Sequence, residues 1–135
     1  MTLIELQIRA EEQGIEISAL PLQEIDAVSL PAGRIAISTK RIKTQAAAKA
    51  ILAHEIGHCE TGSFYNIYSP FDIRAAHERR ADTRSYQMLV PHDELQAAVK
   101  RGLTEVWELA DEFGVPCDYM AKAMEYWQNA ELAAM

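Results

Sequence analysis

The chain has 135 residues, 49% of them hydrophobic, which suffices for the core of one domain and gives no reason to expect a second. A formal net charge of -7 and a pI near 5.0 disfavour a phosphate-binding surface, and so a direct nucleic-acid partner. There is no membrane-spanning apolar run and no signal-like N-terminus, and Cys59 and Cys117 are too few for a disulfide framework, so a cytoplasmic protein with reduced thiols is expected.

Thr2 to Gln13 reads as a helix ended by Gly14. Three β-like runs follow: Ile15-Glu16-Ile17, Ile25-Asp26-Ala27-Val28-Ser29-Leu30 and Arg34-Ile35-Ala36-Ile37-Ser38. Pro31-Ala32-Gly33 turns the last two into a hairpin. Arg34 to Ser38 is the last strand before the next helix. It is expected either as an ordinary sheet strand or as a free edge that accepts an extended peptide along a cleft.

Thr44 as N-cap, a proline-free run from Gln45 to Glu60 rich in alanine, and Gly62 just past the end predict a long helix. It carries His54-Glu55-Ile56-Gly57-His58. Histidines four residues apart fall on one side of a helix, here with Ala47 and Ile51, and both can reach one metal ion. Leu52, Ile56 and Cys59 form a second apolar stripe, so most of the circumference is destined for burial, and Cys59 reads as a structural thiol. Buried imidazoles need partners. A metal takes the lone pair of one nitrogen on each ring, while the other N–H finds an acceptor. Glu55, about 100° round from His54, sits beside the open position of such a metal as a candidate general base for water.

Thr61 and Phe64 occupy the places where a third histidine ligand and its preceding glycine would stand, so the third ligand lies elsewhere. Ser69-Pro70-Phe71-Asp72 has a serine placed to cap, a proline at the first helical position and an acid soon after, predicting a helix that runs to about Val90 and stops at Pro91. Within it Glu78 and Asp82 share a stripe with Phe71, Ala75, Ser85 and Leu89. Acids on an apolar face ask for a cation. Glu78 as third ligand, with Asp82 orienting the back nitrogen of a ligating histidine, meets that need; pairing with Arg74, Arg79 or Arg80 on a solvated face is the alternative, and His77 is the rival ligand. Gly57 and Ala81 are small enough for the two helices to cross closely there.

The last third is helical: His92 to Arg101 before Gly102, Glu105 to Phe113 capped by Thr104, then Cys117 to about Glu131 after Gly114-Val115-Pro116. Leu103 to Trp127 has the outline of a helix-turn-helix, but its second helix sets Asp118, Glu125 and Glu131 against Lys122, which is wrong for DNA phosphates. It reads as packing, or as a docking surface using Tyr119, Tyr126 and Trp127.

Ala53-His54-Glu55-Ile56-Gly57-His58, then Glu78-x-x-Ala81-Asp82, then Met88-Leu89-Val90-Pro91, resembles the ImmA/IrrE family of small metallopeptidases over about Ile35 to Trp127. Arg84 and Ser85 stand where that family tends to carry an aromatic and a small residue. The resemblance implies an α+β, zincin-like core: a short sheet, the His-Glu-x-x-His helix and a third-ligand helix, with a helical C-terminal part. On the single domain 1–135 these map to 1–40, 41–91 and 92–135. It implies that His54, His58 and Glu78 hold zinc (manganese or iron also suit the ligand set) and that Glu55 is the base. It implies too a protein substrate, a helix-turn-helix repressor from a phage, mobile element or stress regulon. A metal-stabilised anti-repressor module that docks without cutting is the alternative, and an acidic helix-turn-helix regulator a third possibility. For the oxyanion, Tyr65 and Tyr68 are the favoured donors among Tyr65, Tyr68, Tyr86, Tyr119 and Tyr126.

Overall fold

The computed structural model describes residues 1–135. Helix α1 (Leu3–Glu12) is capped by Thr2, whose hydroxyl accepts from the Glu5 amide at 3.1 Å. Leu6 and Ala10, one turn apart, are its fully buried residues. Gly14, at φ 73°, reverses the chain into strand β1 (Glu16–Leu20), and β2 (Ala27–Leu30) and β3 (Arg34–Ser38) complete a three-stranded sheet.

The strands are ordered β1-β3-β2. The hairpin is as expected, with Ala27 opposite Ile37 and Leu30 opposite Arg34. On its other side β3 pairs in parallel with β1, Glu16 beside Arg34 and Leu20 beside Ser38. Of the two expectations for Arg34 to Ser38, the ordinary sheet strand holds and the free edge is corrected: β3 is the central strand and both of its edges are taken. Burial is the physical reason, since Ile35 and Ser38 are buried on β3 while β1 is mostly exposed and tolerates an edge position. The edges left open belong to β1 and β2, and β2 lies against the next helix.

That helix, α2 (Gln45–Thr61), begins at Thr44, whose hydroxyl accepts from the Ala47 amide at 3.0 Å, and ends at Gly62 in the left-handed conformation, φ 65°. It is buried on nearly every side, with Leu52, Ala53 and Ile56 fully enclosed. Helix α3 (Phe71–Leu89) crosses it with backbone contact: a Cβ on Gly57 would stand 2.5 Å from the Ala81 carbonyl oxygen. Ser69 does not cap α3. Its hydroxyl accepts from the Asn66 amide, and Pro70 takes the capping position without a side-chain bond. Phe71, expected on the packed stripe, is 79% exposed.

Helices α4 (His92–Lys100), α5 (Val106–Phe113) and α6 (Cys117–Ala133) close the other side. The cap of α5 is Glu105, in a reciprocal box with Glu108, and not Thr104. The Tyr119 hydroxyl donates to Ser85 Oγ at 2.9 Å and the Trp127 indole donates to the Val90 carbonyl at 2.7 Å, fastening α6 to α3. Ser85 in turn donates to the Asp82 carbonyl, and Arg84 donates to Glu60, so both departures from the family pattern have partners. Lys49 of α2 is buried and donates to the Phe113 carbonyl at the end of α5; burial lowers its pKa. Cys59 and Cys117 are free thiols, and no helix is long and apolar enough to cross a membrane.

Candidate metal centre

Because α2 and α3 touch at Gly57 and Ala81, side chains one turn away on each helix are forced together. His54 Nε2 lies 3.0 Å from Glu78 Oε2, and His58 Nε2 lies 3.1 Å from Glu78 Oε1. The two imidazoles meet edge to face, centroids 4.7 Å apart. Their other nitrogens are occupied: His54 Nδ1 is 2.7 Å from Asp82 Oδ1, and His58 Nδ1 is 2.5 Å from the Ser63 carbonyl oxygen.

That carbonyl decides the chemistry of the cluster. It can only accept, so His58 Nδ1 carries the proton, and in the neutral ring the Nε2 lone pair is turned toward a carboxylate. With both rings neutral, two lone pairs and a carboxylate face one another and repel, a repulsion relieved by a shared metal cation or by protons on the rings. His54, His58 and Glu78 each offer one ligand atom, all within 4.8 Å of one another, a group that can hold a metal ion. Metal–ligand bonds of about 2.0–2.1 Å place tetrahedral ligand atoms roughly 3.3 Å apart, close to the spacings here, so the residues fit a divalent ion. Burial acts to lower the His54 pKa, but the Asp82 hydrogen bond and the charges of Asp82, Glu55 and Glu78 outweigh it and raise it overall.

Glu55 is buried and faces a cavity of about 260 Å³ that it lines with His54, His58, Tyr65, Glu78 and the β2 residues Ala27 to Ser29. Tyr65 donates to Glu78 Oε1 at 2.8 Å; that bond, then burial and the Glu78 charge, push the phenol pKa up. Tyr68 is 87% exposed and does not line this cavity. Glu78 and Asp82 pair with imidazoles and not with Arg74, Arg79 or Arg80. His77 stacks on Tyr65, accepts from Arg80, and lies outside the ligand group.

Two contributors escaped sequence reasoning. Ser63 acts through its backbone, which side-chain patterns do not reveal; the signal was Gly62, whose left-handed turn folds Ser63 back so that its amide donates to the His58 carbonyl and its own carbonyl meets the ring. The second is the edge of β2, hidden because strand order is not written in a strand.

The chain matches the model of Peptidase M78, the IrrE N-terminal-like domain, over residues 10–125. It belongs to that family. No curated protein is a significant match. The IrrE N-terminal-like match spans both motif helices and the sheet, so the His54, His58 and Glu78 cluster lies inside a peptidase-type domain, the class that acts on protein substrates.

Proposed function

We propose that this chain is a metal-dependent endopeptidase that cleaves a helix-turn-helix transcriptional repressor of a phage, mobile element or stress regulon, acting in the cytoplasm as one domain over residues 1–135. The observation that carries the reading is the convergence of two tautomer-fixed imidazoles on one carboxylate, with Glu55 buried beside them and bound to no cation. His54, His58 and Glu78 hold the ion. When bound, it supplies Lewis acidity that polarises the scissile carbonyl and acidifies the attacking water; zinc suits the ligands best, manganese and iron next.

The remaining steps fall to the protein. Asp82 and the Ser63 carbonyl hold the imidazoles in the ligating tautomer. The substrate lies extended along the open edge of β2, aligned by backbone pairing beside Glu55. Glu55 takes a proton from the attacking water as the oxygen–carbon bond forms, then delivers it to the departing amine as the carbon–nitrogen bond breaks. Tyr65, protonated and at the cavity wall, turns its O–H from Glu78 to the developing oxyanion.

The test is incubation of the purified chain, with and without zinc, with the repressor encoded beside its gene. The expected result is a zinc-dependent cut that falls about a thousandfold in Glu55→Gln. A cut unaffected by Glu55→Gln rejects the assigned base, and a repressor that is bound but left whole favours docking without proteolysis.

A further inference from the structure

Two hollows meet at His54 and Glu55, and the one holding Glu78 is the smaller. On the other side of His54 the surface opens into a cavity of about 760 Å³ between α2, the segment before β2 and the start of α6. Ala47, Ala50 and Ile51 of α2 contribute small and apolar surface, with Tyr86 and Tyr119 on the α3 and α6 side. Ala27, His54 and Glu55 line both hollows, so a peptide crossing Glu55 along β2 passes from one to the other. The large cavity takes in Ile25 to Ala27 and the small one Ala27 to Ser29. A peptide antiparallel to β2 therefore enters over the small hollow, and the residue after the cut stands over the large one.

What fits there is set by two independent observations. Tyr86 is only 7% exposed, yet it lines the cavity with a hydroxyl that has no hydrogen-bond partner within the chain. Burial, then the charges of Asp82 and Glu125, push its pKa up to about 12, so it is a protonated phenol in a field of negative sign. Glu24, Asp82 and Asp118 also line the cavity, Asp82 with one oxygen on His54 and Asp118 with one on the Tyr119 amide. Of the cations there, Arg41 is tied to Asp26 at 2.8 Å, and Lys122 stands exposed at the rim. Short apolar side chains suit an aliphatic stem, and the phenol oxygen and carboxylates suit a cationic head.

We propose that this cavity is the subsite for the residue following the scissile bond and that it takes lysine or arginine. The subsite presupposes the peptidase activity proposed above and adds the side chain that activity selects. The probe is a library of proteome-derived peptides made with a glutamate-specific protease, so that internal lysines and arginines survive, and digested by the zinc-loaded chain. Lysine and arginine are expected to be enriched about tenfold directly after the cut, the scale of one charge-assisted hydrogen bond. That enrichment should fall to background in Asp118→Lys, where the exposed side chain also accepts from the Tyr119 amide in the first turn of α6, and should fall in Glu24→Lys, an exposed residue of the opposite wall with no such bond. Cleavage before large apolar residues, no preference at that position, or enrichment unmoved by both variants overturns the subsite. So does a library left whole by a chain that cuts the repressor, whereas a chain that cuts neither substrate overturns the peptidase reading itself.

Discussion

Two carboxylates bridge α2 and α3, and they are satisfied in opposite ways. Glu60 receives Arg9 through two bonds at 2.6 and 2.8 Å, Gln13 at 2.9 Å and Arg84 at 2.8 Å. Glu78 receives two imidazoles and a phenol, with Asp82 and Glu55 close by and no lysine or arginine in ion-pair contact. One cluster is closed by the protein's own cations. The other collects acids and imidazoles with no lysine or arginine, a set that an outside cation, or protons on the imidazoles, balances. Burial and charge balance both separate the structural clamp from the candidate centre: the Glu60 side chain is 7% exposed and paired with arginines, that of Glu78 39% exposed and without one.

The sharpest way to break the comparison is to destroy the crossing both clusters share. Gly57→Val drives a side chain into the Ala81 backbone and is expected to cost about 4 kcal/mol in chemical denaturation, or to prevent folding. Next in size is the open cluster. Glu78→Ala should weaken zinc binding at least about a hundredfold in a chelator competition, while His77→Ala changes it less than about twofold; the reverse order would move the third ligand to His77.

The smallest effect belongs to the closed cluster. Glu60→Gln should cost about 2 kcal/mol at neutral pH and leave zinc affinity unchanged. Burial alone would raise the Glu60 pKa, but hydrogen bonds from Arg9, Gln13 and Arg84 bring it from 4.5 down to about 2. A depressed folded-state value means stability that is whole above pH 4.5 and lost as pH falls toward 2. Urea midpoints across that window should slope in the wild type and flatten in Glu60→Gln; equal slopes would show that the clamp contributes nothing.

How legible was this in the chain? The helices were, because their signals are local: Thr44 and Gly62 bracket α2, Pro70 and Pro91 bracket α3, and the Gly57 and Ala81 crossing follows from one absent side chain meeting one methyl. The meeting of His54, His58 and Glu78 was legible for the same reason, since helical spacing fixes which residues share a face. The sheet was legible only as far as its hairpin. Parallel pairing of β1 with β3 depends on which strand the core buries most, so the run Arg34 to Ser38 alone leaves open whether it is a free edge or an ordinary sheet strand. Caps failed at Ser69 and Thr104 by a single residue, where the neighbouring Pro70 and Glu105 set the extended backbone first.

Every reactive group proposed here precedes Pro91, yet a fragment ending there is not expected to survive by itself. The Trp127 indole holds the final carbonyl of the ligand helix, Tyr119 holds Ser85 beside Asp82, and Lys49 reaches from the histidine helix to the last turn of α5. Removing the C-terminal helices would strip those three anchors and expose the apolar flank of both ligand helices. The smallest piece expected to keep the candidate ligands in place therefore extends well past Glu78, the last of them.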